Sequence, residues 1–208
     1  MDGKMVLVDS GNTRIHLYEN GNITHLSHNE GLLLDYKEIY YINVKPSLKD
    51  KLKSMKHWID ISSYLNAYGF YETMGVDRRA LCLSYDNALF ISAGTAITVD
   101  LMENGKYKGG FILLGLKAML KAYKEISPAL EIELNQDIKL ELLAKNTVDA
   151  ISYGIIAPIK AIIMQNRKNH PIYITGGDGA FLATLFENAI YDDSLIFKGM
   201  KRALENKR

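Results

Sequence analysis

The chain has 208 residues, of which 48% are hydrophobic and 24% are charged, which is enough for one large domain or two small ones of ordinary globular composition. Its net charge of +1 gives no electrostatic case for binding nucleic acid or a membrane surface. Cys82 is the only cysteine, so an intramolecular disulfide is excluded, and the five histidines lack zinc-ligand spacing. With no apolar run near 18 residues and no signal-peptide pattern, we expect a cytoplasmic protein.

The first part of the chain predicts three strands joined by turns, then strands that alternate with a helix. Apolar and alternating runs indicate the strands, and lysines interleaved with Leu and Met at helical spacing indicate the helix. The predicted strands are 5–9, 13–18, 23–26, 39–44 and 58–61, and the predicted helix is 48–57.

The second part of the chain predicts the same kind of start, followed by longer helices. The predicted strands are 89–92, 96–102, 107–113, 172–175 and 195–197, and the predicted helices are 116–126, 147–167, 179–188 and 200–206. Gly154 and Pro158 lie inside the long helix, and Pro158 predicts a kink there. Asp178 is expected to be the N-cap of the helix that follows it.

A short phrase occurs twice in the sequence, in residues 5–21 and 89–105. Each copy is an apolar strand, a small polar turn, an alternating strand and the tripeptide Glu-Asn-Gly. This duplication predicts an α/β protein with mixed sheets in two related lobes that flank a nucleotide cleft. We place the N-terminal lobe at residues 1–85 and the C-terminal lobe at 86–208.

The first turn has the composition of a phosphate-binding loop. In Asp9-Ser10-Gly11-Asn12-Thr13, the glycine lets backbone amides approach phosphate oxygens, Asn12 and Thr13 add side-chain donors, and Asp9 can hold hydrated Mg²⁺. The same residues also suit an ordinary hairpin turn. The chain contains neither a P-loop motif nor a Rossmann glycine motif.

Three other segments carry candidate chemistry, and each also has a purely structural interpretation. Thr98 and Asp100 share one strand face, either as a polar edge or as an oxygen cluster for a cation. Asp77-Arg78 is either a surface ion pair or a base beside a carboxylate-binding arginine. Residues 175–178, Thr-Gly-Gly-Asp, form either a tight strand–helix turn or a glycine floor for a nucleotide.

Taken in order, these segments resemble the type III pantothenate kinases of the acetate and sugar kinase/Hsp70/actin superfamily. The resemblance spans nearly the whole chain and also includes Gly109-Gly110-x-Ile112 and Asn146-Thr147-x-x-Ala150. It implies two duplicated ribonuclease H-like lobes, a homodimer, and ATP-dependent phosphorylation of pantothenate, the first step of coenzyme A biosynthesis.

The resemblance also implies residue roles. Asp77 would be the general base, and Asp9 would bind Mg²⁺. Asp100 would help to bind a monovalent cation, K⁺ or NH₄⁺. The residues implied for ATP and its phosphates are Asp9, Ser10, Gly11, Asn12, Thr13, Arg14, Thr95, Gly176 and Gly177. The residues implied for pantothenate are Tyr71, Gly75, Val76, Asp77, Arg78 and Thr147, the last acting across the dimer interface.

The chain departs from the family pattern at three positions, of which the first two leave the phosphate and metal details open and the third changes only a turn. His16 stands where the family often has Lys, Ser92 where it often has Asp, and Leu114 where it usually has Pro. One alternative is a catalytically silent relative that acts as a regulatory or accessory binding protein. Another is a kinase of a different small hydroxylated substrate, such as a sugar.

Overall fold

The computed structural model describes residues 5–207, which form two compact units. The first contains the described residues within Met1–Asn87, Met102–Gly109 and Asp193–Arg208. The second contains Ala88–Leu101 and Gly110–Asp192. The lobe boundary at residues 85 and 86 stays a prediction about the duplication, because compactness groups the last helix with the first unit.

The first sheet has five strands in the order β3-β2-β1-β4-β5. They are β1 (Val6–Ser10), β2 (Ile15–Glu19), β3 (Asn22–Leu26), β4 (Ile39–Asn43) and β5 (Trp58–Asp60). β1 pairs antiparallel with β2, so that Asp9 lies opposite His16, and parallel with β4, so that Asp9 also lies opposite Ile42. The end of β1 is therefore central in the sheet.

Both faces of β1 are covered, which explains why all five of its residues are buried. Val6 and Val8 pack in one apolar cluster with Trp58, and Leu7 packs in another with Met200. The helices of this unit are α1 (His28–Gly31), α2 (Lys49–Ser54), α3 (Val76–Cys82) and α7 (Leu195–Glu205).

The second sheet repeats the strand order of the first. Its strands are β6 (Ala88–Ala93), β7 (Ala96–Glu103), β8 (Lys106–Leu114), β9 (Ile172–Thr175) and β10 (Ile190–Tyr191), in the order β10-β9-β6-β7-β8. In each sheet the next two strands of the chain lie to one side of the first strand, and two later strands lie to the other. The predicted α/β fold with two mixed sheets of duplicated topology is confirmed.

The core of the second unit is built on its long helix. The helices here are α4 (Leu116–Ile126), α5 (Thr147–Arg167) and α6 (Gly179–Ala183). Five isoleucines of α5 pack with Leu89, Ile91 and Ile174 of the sheet. Within the described residues, α5 alone is long and apolar enough to cross a membrane by length and composition, and these isoleucines are the core of its unit.

Two predictions near the C-terminus are wrong, and one residue does less than predicted. Residues 195–197 are not a strand, because they begin the helix α7, whose buried Leu195, Gly199 and Ala203 recur at helical spacing. A Cβ on Gly199 would lie 1.7 Å from the Ala80 carbonyl oxygen, so only glycine permits this approach of α7 to α3. The helix after Asp178 ends at Ala183 rather than 188. Asp178 is at the N-cap position as predicted, but its side chain makes no capping hydrogen bond within the described chain.

The predicted helix at 48–57 is also shorter in the structure. Pro46–Leu48 form a 3₁₀ turn with proline at its start, and α2 then runs only over Lys49–Ser54. Proline fixes a backbone angle that suits the first turn of a helix.

Candidate active site

Asp9 and Ser10 end the central strand β1 with buried polar side chains. Asp9 is 6% exposed and Ser10 is fully buried. Within the described residues, neither Oδ1 of Asp9 nor Oγ of Ser10 has a hydrogen-bond partner. Because buried polar atoms are normally paired, two orphaned oxygens in sequence fit a group that binds there.

The carboxyl group of Asp9 is electrostatically unfavourable when it is ionised alone. Burial, and secondly the charge of Asp77, raise the pKa of Asp9 to about 7. Desolvation and a nearby like charge both disfavour a carboxylate, whereas a bound cation favours it. A divalent cation bound at Asp9 would therefore offset this cost.

The turn after β1 presents polar groups to solvent. Asn12, Thr13 and Arg14 are exposed, and Gly11 is half-buried. A Cβ on Gly11 would lie 3.2 Å from the Arg14 carbonyl oxygen and 3.9 Å from His16. His16 reaches this turn from β2 while its Nδ1 lies 2.6 Å from Nδ1 of His25. Burial and the neighbouring imidazole lower the pKa of His16 to about 4, so the ring is neutral at pH 7.

Asp77 lies in the first turn of α3, where the free backbone amides favour a negative charge. Its Oδ1 accepts a hydrogen bond from the amide of Arg78 at 2.9 Å. Gly75 is the N-cap, and a Cβ there would lie 2.6 Å from the same oxygen. Val76, at the first helical position, is half-buried. Glycine at 75 therefore leaves room for the Asp77 carboxylate.

Arg78 is a buried guanidinium held by two tyrosine hydroxyl groups. It is 6% exposed and donates to the Tyr71 hydroxyl at 2.7 Å and to the Tyr107 hydroxyl at 3.4 Å. Arg79 donates to the carbonyl oxygens of Tyr71 and Glu72, which fixes the segment that carries Tyr71. A guanidinium can bind a carboxylate through its planar fork.

Sequence reasoning missed Tyr107, because nothing in the local pattern of β8 connects it with Arg78. The Tyr107 amide donates to the Tyr68 carbonyl oxygen at 2.9 Å. Gly69 has φ +94, and a Cβ there would lie 2.6 Å from the Tyr107 carbonyl oxygen. The Phe70 and Tyr107 rings meet at 5.6 Å. This pairing of residues 68–71 with β8 is a tertiary contact that brings an aromatic wall beside Arg78.

The predicted residues of the second unit form a turn that is enclosed by backbone. Thr95 is exposed, and its carbonyl oxygen accepts from the Gly115 amide at 3.2 Å. A Cβ on Gly115 would lie 2.2 Å from the Gly94 carbonyl oxygen, and one on Gly176 would lie 2.3 Å from that of Ala93. Gly177 is exposed with open space around it.

Asp100 and Thr98 supply oxygen atoms on β7 of the second unit. Asp100 is fully buried. Oγ1 of Thr98 is buried and, within the part of the chain that is described, has no hydrogen-bond partner. An unpaired hydroxyl two residues from a buried carboxylate fits a monovalent cation, which takes oxygen ligands.

Thr147 is exposed at the first position of α5. Asn146 caps the helix by accepting from the Asp149 amide at 2.9 Å, and its own amide group donates to the Asp149 carboxylate. Asn135 donates to the other oxygen of Asp149. This network fixes the position of Thr147 in its unit.

The fold defines the class of the protein. A Sinorhizobium meliloti protein, provisionally described as a 2-dehydro-3-deoxygalactonokinase, matches with a TM-score of 0.62 at 10% identity, covering 97% of this chain and 96% of that one. At this identity the likeness concerns the fold alone, and the fold is that of the actin-like ATPases and sugar kinases.

Sequence similarity then defines the family. The profile described as type III pantothenate kinase matches residues 40–168. A type III pantothenate kinase of Wolinella succinogenes is 42% identical over 203 residues, covering 97% of both chains. A Campylobacter jejuni structure, provisionally described as a Baf family transcriptional activator, has a TM-score of 0.90 and 36% identity over 98% of both chains. The chain belongs to the type III pantothenate kinase family, and it is a kinase.

Proposed function

We propose that this protein transfers the terminal phosphoryl group of ATP to the primary hydroxyl of pantothenate, giving 4'-phosphopantothenate in the first step of coenzyme A biosynthesis. Family membership supports the reaction. The observation that carries it in this chain is one helix turn, where Asp77 adjoins the buried guanidinium of Arg78. A base and a carboxylate binder side by side suit a hydroxy acid better than a sugar.

Asp9 and Ser10 fit a Mg²⁺ ion and its phosphate ligands. The unpaired Oδ1 of Asp9 and its raised pKa support this assignment. When bound, Mg²⁺ would neutralise charge on the transferring phosphoryl group. The turn with Gly11, Asn12, Thr13 and Arg14 would offer amides and side chains to the phosphates.

Asp77 would orient the pantothenate hydroxyl for in-line attack and accept its proton late. Little deprotonation is needed in the loose transition state that phosphoryl transfer usually has. Its Oδ1 accepts a hydrogen bond from the Arg78 amide, which fixes the carboxylate. Positioning is therefore its main contribution.

Arg78 would bind the pantothenate carboxylate, with Tyr71, Gly75 and Val76 forming the surrounding surface. The Tyr71 and Tyr107 hydroxyl groups help to fix the guanidinium. A substrate carboxylate would make a charge-assisted bond with it, which is stronger than a neutral one.

The second unit would contribute to nucleotide and cation binding. Thr95, Gly176 and Gly177 would approach ATP, and Asp100 with Thr98 would bind K⁺ or NH₄⁺. Thr147 would reach pantothenate across a homodimer interface. We further propose that the protein works in the cytoplasm and without nucleic acid or membrane partners.

A coupled turnover assay with pantothenate, ATP and Mg²⁺, with and without K⁺, tests the proposal. Asp77→Asn should lower kcat at least hundredfold, about 2.7 kcal/mol in the barrier. A decrease of less than tenfold would mean that Asp77 has another role. Asp60→Asn is a matched control on an exposed carboxylate of β5.

The silent regulatory relative is the rival outcome of the same assay. The replacement of the family's usual residues at His16 and Ser92 motivates it. Calorimetry with pantothenate alone and with an ATP analogue alone should show binding whether the protein is a kinase or a regulatory protein. Binding without turnover would favour the regulatory protein over the kinase.

A further inference from the structure

A lysine outside the predicted motifs lies against the turn that follows β1. Lys45 comes two residues after β4, and its Nζ donates to the Asn12 carbonyl oxygen at 3.2 Å. Asn12 lies in the turn proposed for phosphate binding. The ammonium group is thus placed at the edge of that turn, although it is 33 residues away in sequence.

The backbone of Lys45 is fixed before its side chain begins. The Asn43 side chain donates to the Lys45 carbonyl oxygen at 2.9 Å and accepts from the Lys45 amide at 3.1 Å. The next contact ties this segment to β1, since the Val44 amide donates to the Ser10 carbonyl oxygen at 3.0 Å. A binding side chain on such a rigid segment loses less entropy when a ligand arrives.

His28 holds the other end of the lysine. Its Nε2 lies 3.0 Å from the Gly11 carbonyl oxygen, and its Nδ1 lies 3.4 Å from Nζ of Lys45. A carbonyl only accepts and an ammonium only donates, so the neutral ring with hydrogen on Nε2 serves both contacts. A capping box between Ser27 and Glu30 fixes the helix α1 that carries His28.

The charge of Lys45 is not neutralised by these contacts. Its two partners are a carbonyl and an imidazole, and among the described residues no carboxylate lies within 4.0 Å of Nζ. One of the three ammonium hydrogens remains available. The residue is half-buried, where charge interactions are screened less than at an open surface.

We propose that Lys45 binds an outer phosphate group of the nucleoside triphosphate and that His28 is its positioning residue. This inference rests on the proposed ATP-dependent function. Lys45 would recognise a polyphosphate anion by its charge. Its contribution to binding affinity should therefore be large for a triphosphate and negligible for the uncharged nucleoside.

Calorimetry in the presence of Mg²⁺ separates these ligands, with AMPPNP as the triphosphate and adenosine as the nucleoside. Lys45→Met should raise the Kd of AMPPNP at least tenfold and leave that of adenosine within twofold. Lys45→Arg should recover most of the AMPPNP affinity, and His28→Ala should lose part of it. Lys53→Met removes the same charge from an exposed position on α2 and should change neither Kd.

A structural role alone would lower the affinity for both ligands together with the melting temperature, and this result would overturn the proposal. A change of less than tenfold in the Kd of AMPPNP would overturn it as well. Should Lys45→Met not fold, Lys45→Gln gives the same comparison with a polar side chain. If the wild-type protein binds AMPPNP but does not phosphorylate pantothenate, the proposed substrate is wrong. The phosphate-binding role of Lys45 would still be supported by the difference in Kd between the wild type and Lys45→Met.

Discussion

The turn after β1 and the turn after β6 have the same place in the topology of their sheets. They differ in what surrounds them. After β1, buried Asp9 and charged Lys45 surround an open turn of exposed residues. After β6, the turn is enclosed by backbone, because Gly115 and Gly176 approach the carbonyl oxygens of Gly94 and Ala93. The two sheets thus share one strand order, while the first turn is surrounded by charged groups and the second by close backbone contacts.

The largest effect on stability should come from closing the space in the second turn. Gly115→Ala places a Cβ 2.2 Å from one carbonyl oxygen and 2.5 Å from another, so backbone must move. We expect a loss of about 3 kcal/mol in the free energy of unfolding, or roughly 6–12 °C in Tm. Thermal unfolding measures both.

Two alanine variants serve as controls for that experiment. Gly94→Ala lies in the same turn with open space around it, and Gly11→Ala lies in the first turn at 3.2 Å from one oxygen. Each should cost less than about 1 kcal/mol. Equal losses in all three variants would show that the two turns do not differ in this way.

The next effect concerns the charged groups of the first unit. Arg78→Lys keeps the charge but loses the planar fork that two tyrosines hold. The KM for pantothenate should rise about thirtyfold, about 2 kcal/mol, while the KM for ATP changes little. Steady-state kinetics give both constants.

Pantothenol, in which an alcohol replaces the carboxylate, is the matched ligand for this variant. Its binding by calorimetry should be nearly equal in the wild type and in Arg78→Lys. An equal loss of affinity for pantothenate and pantothenol would mean that Arg78 shapes the site without binding the carboxylate.

The sequence predicted the fold better than it predicted the site. Local periodicity was sufficient for α4, α5 and β9, whose predicted bounds match those of the structure. It failed for α7, because the close approach of Gly199 to Ala80 is a tertiary contact. The motifs identified Asp9 and Asp77. They did not identify Lys45, His28 and Tyr107, because the partners of these residues are distant in sequence and no local pattern indicates such contacts.

Asp9 predicts a dependence of stability on pH in the protein without ligands. Its pKa is about 7 in the folded state, against 3.8 as the ordinary value, so between these values the folded state binds more protons than the unfolded state. Stability from this group is therefore lost as pH rises from about 4 to 7. Between pH 5 and 8 we expect a loss of about 2 kcal/mol, roughly 4–8 °C in Tm.

Asp9→Asn should remove this slope and raise the Tm at pH 8, because the buried charge is gone. Mg²⁺ with AMPPNP should reduce the slope in the wild type, since a bound cation favours the carboxylate. Parallel pH profiles of Tm in the wild type and Asp9→Asn would contradict the raised pKa.

The smallest expected effect is the pH dependence of stability that arises from His16 on β2. Its sign is opposite to that of Asp9. The pKa of His16 is lowered to about 4 by burial and by His25, below its ordinary 6.5, so the unfolded state binds the extra proton between these values. Stability from this group is present above pH 6.5 and lost as pH falls to 4. His16 is only half-buried, so solvent screens much of this effect. In an Asp9→Asn background, where the larger slope is absent, His16→Gln should therefore flatten the acid side of the Tm profile by only about 1–2 °C. His57→Gln, on an exposed histidine, should leave that profile unchanged, and an unchanged profile in His16→Gln as well would show that the His16–His25 pair does not titrate as proposed.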